Sequence, residues 1–440
     1  MNQALKNYKF LSIVPLLVFV FTFLGFGLYN QDFYALPSPL AALFGIVAAF
    51  ILFKGTLSQK ADTFLKGCGD GQILTMCIIY LLAGAFAAVS KAAGSVESIV
   101  NLGMTYISPQ YFAAGVFVIA SFLSFASGTS VGSIVTLGPI VIELAEKSDS
   151  PLGLIGAALL CGAIFGDNLS LISDTTIAAT QSLGCEMKDK FRANFKLALP
   201  AALLALGLFI FAGSSQPVDA MQTEKLNFDL WLILPYFVVI VLALRGLNVF
   251  VTLFLGILSA AVLGLWNSSF DFLTLGKTTY AGFTDMSEIF YLSLLTGGLA
   301  ALVEKAGGID YLLKAINRLI YNKRSASLGI GGLVSVTNLC VANNTIAILI
   351  SGKVAKELND KFDLEAKNSA SILDIFACFI QGIIPYGAQV LILISLSGFK
   401  IQYLDLMMNS YYLHLLIAIT IGFILFKKSA NKPLKTAQDL

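Results

Sequence analysis

One apolar run follows another along this chain, and several are long enough to cross a lipid bilayer as a helix, which takes about 20 largely apolar residues. Phe10–Tyr29, Leu40–Phe53, Ile73–Ser90, Leu152–Ala178 and Phe195–Phe211 are such runs in the first half. Leu230–Leu244, Val249–Leu265, Ile289–Val303, Ala370–Leu396 and Tyr411–Phe426 follow in the second. In hydrocarbon every backbone polar group must be satisfied within the segment, so the runs predict helices and the chain reads as an all-α polytopic membrane protein. Composition agrees: 57% of the 440 residues are apolar and 12% charged, against roughly 25% charged in soluble proteins. That excludes a cytosolic enzyme and a disordered chain. A net charge of +2 without a basic patch excludes a nucleic-acid partner. With one histidine, His414, and six cysteines in no CxxC pair, neither a resident metal nor another cofactor is expected, and the thiols read as free and buried. The run from Phe10 is too long for a signal-peptide core and reads as the first span.

Two pairs of apolar runs look different. Tyr111–Phe125 and Val131–Leu144 are short and are joined by Ser127-Gly128-Thr129-Ser130; Leu328–Val341 and Thr345–Val354 are joined through Asn343-Asn344. Each pair is expected to enter and leave the membrane by the same side as a re-entrant hairpin, leaving ten crossings. With the N-terminus in the cytoplasm, this topology puts 23 of the 28 Lys and Arg residues inside and 5 outside, as the positive-inside rule requires. Both termini are then cytoplasmic and the site of residence is a cytoplasmic (inner) membrane. The basic run from Lys188 to Lys196 reads as a solvated cytoplasmic loop.

The halves also resemble each other. Ala87–Gly94 matches Ala300–Gly307, and Ala157–Asp174 runs alongside Ala370–Gly387, both 213 residues apart, while Gly128-Thr129-Ser130 matches Asn343-Asn344-Thr345 at 215. This divides the chain into a first repeat, 1–213, a linker, 214–229, and a second repeat with a short tail, 230–440. Five crossings per half turn the second copy upside down. Inverted repeats with broken helices near the midplane are a mark of secondary transporters, so no enzymatic activity is expected.

Polar residues inside apolar helices are costly and therefore point to function. The densest set is Gly166-Asp167-Asn168, followed by Ser173-Asp174-Thr175-Thr176. Its Gly, Asn and Ser content predicts local unwinding, which frees backbone carbonyls to join carboxylate and hydroxyl oxygens around a hard cation. The corresponding stretch of the second half holds Asp374, Gln381, Pro385, Tyr386 and Gly387, and Pro with Gly breaks a helix there too. In this alignment Gln381 stands opposite Asn168, and Asp374 opposite Cys161. At the hairpin tips, Ser127, Gly128, Thr129 and Ser130 mirror Asn343, Asn344 and Thr345. Thr129, Ser130 and the asparagines are N-capping types, placed where a helix N-terminus favours an anion or an acceptor.

These motifs together resemble the NhaC family of sodium/proton antiporters, within the ion transporter superfamily. The resemblance implies two inverted five-helix repeats with two hairpins, an elevator-type transport domain and a homodimer built through scaffold helices. It also implies Na+ as coupling ion, with H+ exchanged against it. On this reading Asp167 and Asp174 bind Na+ or a proton in turn, with Asn168, Ser173, Thr176 and the tip residues completing an oxygen shell, and with no membrane-embedded base beside the acids. A Na+-coupled carrier of amino acids or of small organic acids such as malate and lactate is the alternative on the same scaffold. A channel and an intramembrane aspartyl protease fit less well: against the first, the buried carboxylates argue for coupling, and the second calls for acids on two facing helices. The partners expected are the lipid bilayer, Na+, H+ and, on the alternative, a small organic solute.

Overall fold

A computed structural model describes residues 10–30, 36–171, 173–214, 227–245, 247–308, 311 and 320–426. Most of the linker and of the C-terminal tail, and the basic residues Lys6, Lys9, Lys225, Lys314 and Arg318, lie outside the described residues. The first half runs α1 (Val14–Asn30), α2 (Ser38–Leu52), α3 (Leu57–Cys68), α4 (Gly71–Ala92) and α5 (Ser95–Tyr106). It continues as α6 (Phe112–Ser127), α7 (Ser130–Lys147), α8 (Leu152–Leu169), α9 (Asp174–Leu183) and α10 (Met187–Ser214). The second half runs α11 (Leu234–Leu244), α12 (Val249–Trp266), α13 (Phe272–Asp285), α14 (Ser287–Lys305) and α15 (Lys323–Val341). It ends as α16 (Asn344–Lys361), α17 (Ala366–Ile383), α18 (Ala388–Leu396), α19 (Tyr403–Met408) and α20 (Tyr411–Phe426). Every regular element among the described residues is helical.

Among the described residues, seven helical segments are long and apolar enough to cross a membrane: Ile73–Ala92, Pro109–Ser127, Leu152–Leu183, Met187–Ser214, Val249–Trp266, Ser287–Lys305 and Ala366–Leu396. Four expected crossings appear as the shorter apolar helices Val14–Gly27, Ser38–Leu52, Leu230–Leu242 and Tyr411–Phe426. One expectation is corrected. The first hairpin leg is not too short to span, because a 3₁₀ turn at Pro109–Tyr111 extends α6 at its start. The outer faces carry exposed Ile51, Leu203, Phe211 and Val262, the surface a bilayer covers. All six cysteines are free thiols.

The hairpins turn as their sequence suggests. Gly128 is left-handed at φ 71°, which glycine adopts without steric cost. Thr129 then caps α7 by accepting from Gly132 N. Ala342 is left-handed at φ 51°, and Asn343 caps α16 by accepting from Ile346 N. Beyond each turn the chain returns to the starting side. Gly162 and Gly166 of α8 lie against the Phe117 and Ser121 carbonyls of α6, so α6 and α8 run in the same direction. In the second half, Asn338 bonds the Ala377 carbonyl and Gln381 the Ala342 carbonyl, so α15 and α17 do likewise.

These contacts correct the alignment of the halves. Ser124 Oγ donates to the Ala163 carbonyl at 2.6 Å, and Asn338 Nδ2 to the Ala377 carbonyl at 2.8 Å. Donor and acceptor are both shifted by 214 residues, as are the left-handed residues and the caps. The tips therefore match as Gly128-Thr129-Ser130 with Ala342-Asn343-Asn344. At the breaks Asp167 stands opposite Gln381, and Asp374 opposite Leu160. Similarity of small residues is blind to cap position, which is why the sequence put the match one residue off.

Two backbone-on-backbone crossings join the halves reciprocally. Gly84 of α4 packs on Gly282 of α13, and Gly67 of α3 packs on Gly297 of α14. Helices in lipid associate through such small residues because no hydrophobic force drives them together. A Cβ on Gly84 would enter the Gly282 carbonyl, whereas one on Gly276 of α13 would meet open space. Gly84→Val is accordingly expected to lower the melting temperature of the detergent-purified protein, at a cost of about 1–3 kcal/mol or more. Gly276→Ala should leave it unchanged, and equal melting temperatures for the two variants would contradict the close crossing.

Candidate functional site

Both long central helices break where the polar residues cluster. Between α8 and α9 the chain leaves the helix at Ser170 and re-enters at Asp174. Between α17 and α18 it does so over Ile384–Gly387, where Pro385 has no N–H to continue the ladder. Carbonyls lose their helical partners at such ends, and here side chains take them up. The Thr176 hydroxyl donates to the Ser170 carbonyl at 2.9 Å. The Asn168 carbonyl accepts from Asn194 Nδ2 at 2.7 Å and from Lys190 Nζ at 3.2 Å.

Asp167 is buried between the first tip and the first break. Ser130 Oγ donates to its Oδ2 at 2.8 Å and Ser173 Oγ to its Oδ1 at 2.5 Å. Ser130 in turn accepts from Gln389 Nε2 of the second half at 3.0 Å. No described hydrogen bond or ion pair joins Asp167 to a cation.

Asp374 is different. It is fully buried, and its Oδ2 receives Lys190 Nζ at 2.7 Å and Asn194 Nδ2 at 2.9 Å. Cys378 Sγ lies 3.7 Å from its Oδ1, and Asn344 Nδ2 lies 3.8 Å from that sulfur, which ties the second tip to this acid. Lys190 overturns the expectation of a site without a base. The segment Lys188–Lys196 is not a solvated loop but the first turns of α10, and Lys190 is 0% exposed.

The remaining sequence-predicted residues are divided between the buried polar region, the tips, the second break and the surface. Asn168, Ser173, Thr176 and Ser130 lie with Asp167 and Asp374 in a buried polar network of two adjoining sets: Ser130 and Ser173 hold Asp167, while the Asn168 carbonyl and Thr176 meet the lysine of the Lys190–Asp374 pair; Asn168 Nδ2 also reaches the Tyr412 hydroxyl at 3.2 Å. Gly128, Thr129 and Asn343 shape the tips, and the Asn344 amide oxygen accepts from the Thr345 N–H. The Tyr386 hydroxyl donates to the Leu339 carbonyl at 2.9 Å, and Gly387 lies against the Gln381 carbonyl. Asp174 stands apart, with its side chain exposed at the first position of α9. Lys190, Asn194, Gln389 and Tyr412 belong to the network and were not anticipated. The available signal was Lys190 and Asn194 four residues apart, hence on one helix face, in a segment that passes without interruption into an apolar run.

Ser127 Oγ, Asn168 Oδ1, Asn194 Oδ1, Gln381 Oε1 and Gln389 Oε1 are buried and find no hydrogen-bond partner among the described residues. Gln381 and Gln389 also line a cavity of about 50 Å³, with Asn343, Asn344 and Tyr386 on one wall and Tyr80, Ser293 and Thr296 of α4 and α14 on the other. About 10–15 Å³ of such space holds one water, so the cavity suits an ion or a few waters.

The model of the Na+/H+ antiporter family matches residues 4–214 and 224–428. Among curated relatives, the Na(+)/H(+) antiporter NhaC of Bacillus subtilis is 26% identical over 82% of this chain and 86% of its own length. The malate-2H(+)/Na(+)-lactate antiporter of the same organism is 22% identical over 92% of this chain and 94% of its own. The arginine/ornithine antiporter ArcD of Halobacterium salinarum is 22% identical over 86% and 84%. The match runs through both hairpins and both helix breaks, and with it the chain belongs to the Na+/H+ antiporter family.

Proposed function

We propose that the chain exchanges Na+ for H+ across the membrane that holds it, with Asp167 as the group for which the two ions compete. The carrying observation is the pairing pattern. Two buried carboxylates lie beside the first helix break, and a lysine pairs with only one of them. A buried charge needs compensation, so Asp167 is loaded by one proton or by one Na+. Ser130 and Ser173 serve both states, because a hydroxyl can donate to a bare carboxylate or turn its lone pairs to an ion. Asn168, Thr176 and the tip residues Ser127, Thr129, Asn343 and Asn344 complete the surroundings. Asp174, exposed at the start of α9, takes the ion between water and Asp167.

The architecture proposed with it is an inverted repeat, residues 1–213 and 230–440, working as an elevator in a homodimer, in a cytoplasmic membrane with both termini inside. Three observations support it. The glycine crossings are reciprocal between the halves. Ile164 of α8 abuts Gly382 of α17 while Asn168 shares Asn194 with Asp374, so these matching helices run in opposite directions. Moving Lys190 out of the cytoplasmic set leaves the strong inside excess of basic residues.

The second reading is a Na+-coupled amino-acid or small organic-acid carrier, favoured by the names of the malate/lactate and arginine/ornithine relatives. Against it, all three Lys190 donors already have acceptors, and the cavity at the tips is small. The test is a flux screen in proteoliposomes with internal pH and Na+ readouts, followed by labelled amino acids, malate and lactate. Na+-driven proton movement without organic solute supports exchange of the two ions; movement strictly dependent on one solute replaces it. Ser130→Ala provides a finer check. Loss of one hydrogen bond to a charged group, about 1.5 kcal/mol, should raise the Na+ concentration for half-maximal flux roughly tenfold with little change in maximal rate.

A further inference from the structure

We infer that the Lys190 ammonium is a tethered cation occupying a second cation site, so that Asp374 does not exchange ions and Asp167 alone is loaded in each cycle. The inference rests on the Na+/H+ reading of Asp167.

An ammonium has three N–H donors, and Lys190 Nζ has three acceptors: Thr176 Oγ1 at 2.6 Å, Asp374 Oδ2 at 2.7 Å and the Asn168 carbonyl at 3.2 Å. A hydroxyl, a carboxylate and a carbonyl freed by a helix break form the donor set that a hard cation takes. The shell is also held together without the lysine. Asn194, one turn further along α10, donates to the same Asp374 oxygen and to the same Asn168 carbonyl. Its own amide oxygen is buried without a partner among the described residues, which leaves one more oxygen for an ion in the vacated space. Lys190 and Asp374 are both 0% exposed, so without the lysine Asp374 must find another positive charge. Na+ is the cation that a Na+/H+ exchanger meets on both sides.

The test is ²²Na+ binding to the purified full chain, read beside its melting temperature in NaCl and in choline chloride. Lys190→Ala is expected to bind a second Na+ per chain. It should also melt lower than wild type in choline chloride and recover in NaCl, since a ligand stabilises the state that binds it. Lys190→Ala/Asp374→Asn should bind as wild type does and show no extra gain in NaCl. A folded Lys190→Ala protein with wild-type Na+ stoichiometry overturns the inference. So does a Lys190→Ala protein that cannot be purified in NaCl when the double variant can, because the vacated shell has then refused the ion. Asp167→Asn separates this outcome from the underlying reading. If that variant keeps its full Na+ stoichiometry, the assignment of the exchange to Asp167 fails, whatever Lys190 does.

Discussion

Asp167→Asn should abolish Na+-driven proton movement while the protein stays folded. The change removes one negative charge and almost no volume; of the two serines that hold the carboxylate now, one can still donate to the Asn side-chain oxygen and the other can turn its hydroxyl to accept from the Asn amide N–H. What is lost is the means to hold a proton in one state and an ion in the other. Losing a charge-assisted interaction of about 3 kcal/mol corresponds to roughly a 100-fold loss of ion affinity, and an amide has no proton to release. Proteoliposomes with an internal pH dye measure the flux directly. Asp174→Asn, at an exposed position, should have a smaller effect. Intact flux in the Asp167→Asn/Asp174→Asn double variant would falsify the exchange mechanism.

The largest effect on stability is expected from Asp374→Asn. It leaves Lys190 charged, 0% exposed and without a counter-charge. Breaking a buried pair from one side costs about 3–5 kcal/mol, whereas replacing both partners with neutral groups is often nearly harmless. Asp374→Asn alone should therefore melt far below wild type, and Asp374→Asn/Lys190→Met should recover most of the loss. The comparison belongs in Na+-free buffer, so that no ion substitutes for a missing partner. Equal destabilisation in the single and double variants would mean that the two residues do not act as a unit.

The parts that hydrophobicity dictates are legible in the sequence. Apolar runs located the long helices, and Gly and Pro marked the breaks at Ser170 and Pro385. Capping types marked the tips at Thr129 and Asn343. Asp167 and Asp374 stood out because acids are rare in such runs. The misreadings share a cause: they concern residues whose role depends on what lies across the fold. Lys190 has the local signature of a cytoplasmic positive charge, and only the approach of α17 to α10 makes it an interior one. Gln389 sits in an apolar helix with no local hint that its amide meets Ser130 from the other half. Asp174 resembles Asp167 in sequence, yet the break between them sends its side chain to the exposed surface. Pattern along a chain reports burial well and partnership poorly.

The glycine crossings bear on how this molecule can move. Where two helices touch through interlocking side chains, rotamer changes let one slide past the other. At Gly84–Gly282 and Gly67–Gly297 nothing intervenes between the backbones, so there is no soft layer to yield. The helices α3, α4, α13 and α14 are thereby riveted into a single plate that contains parts of both halves. In the proposed elevator, displacement of the tips and breaks is then taken up elsewhere, and the seam open to it is the small cavity lined by Tyr80, Ser293 and Thr296 of that plate together with Asn343, Gln381 and Gln389. Cross-linking that seam should arrest the carrier, whereas cross-linking within the plate should leave it free to turn over.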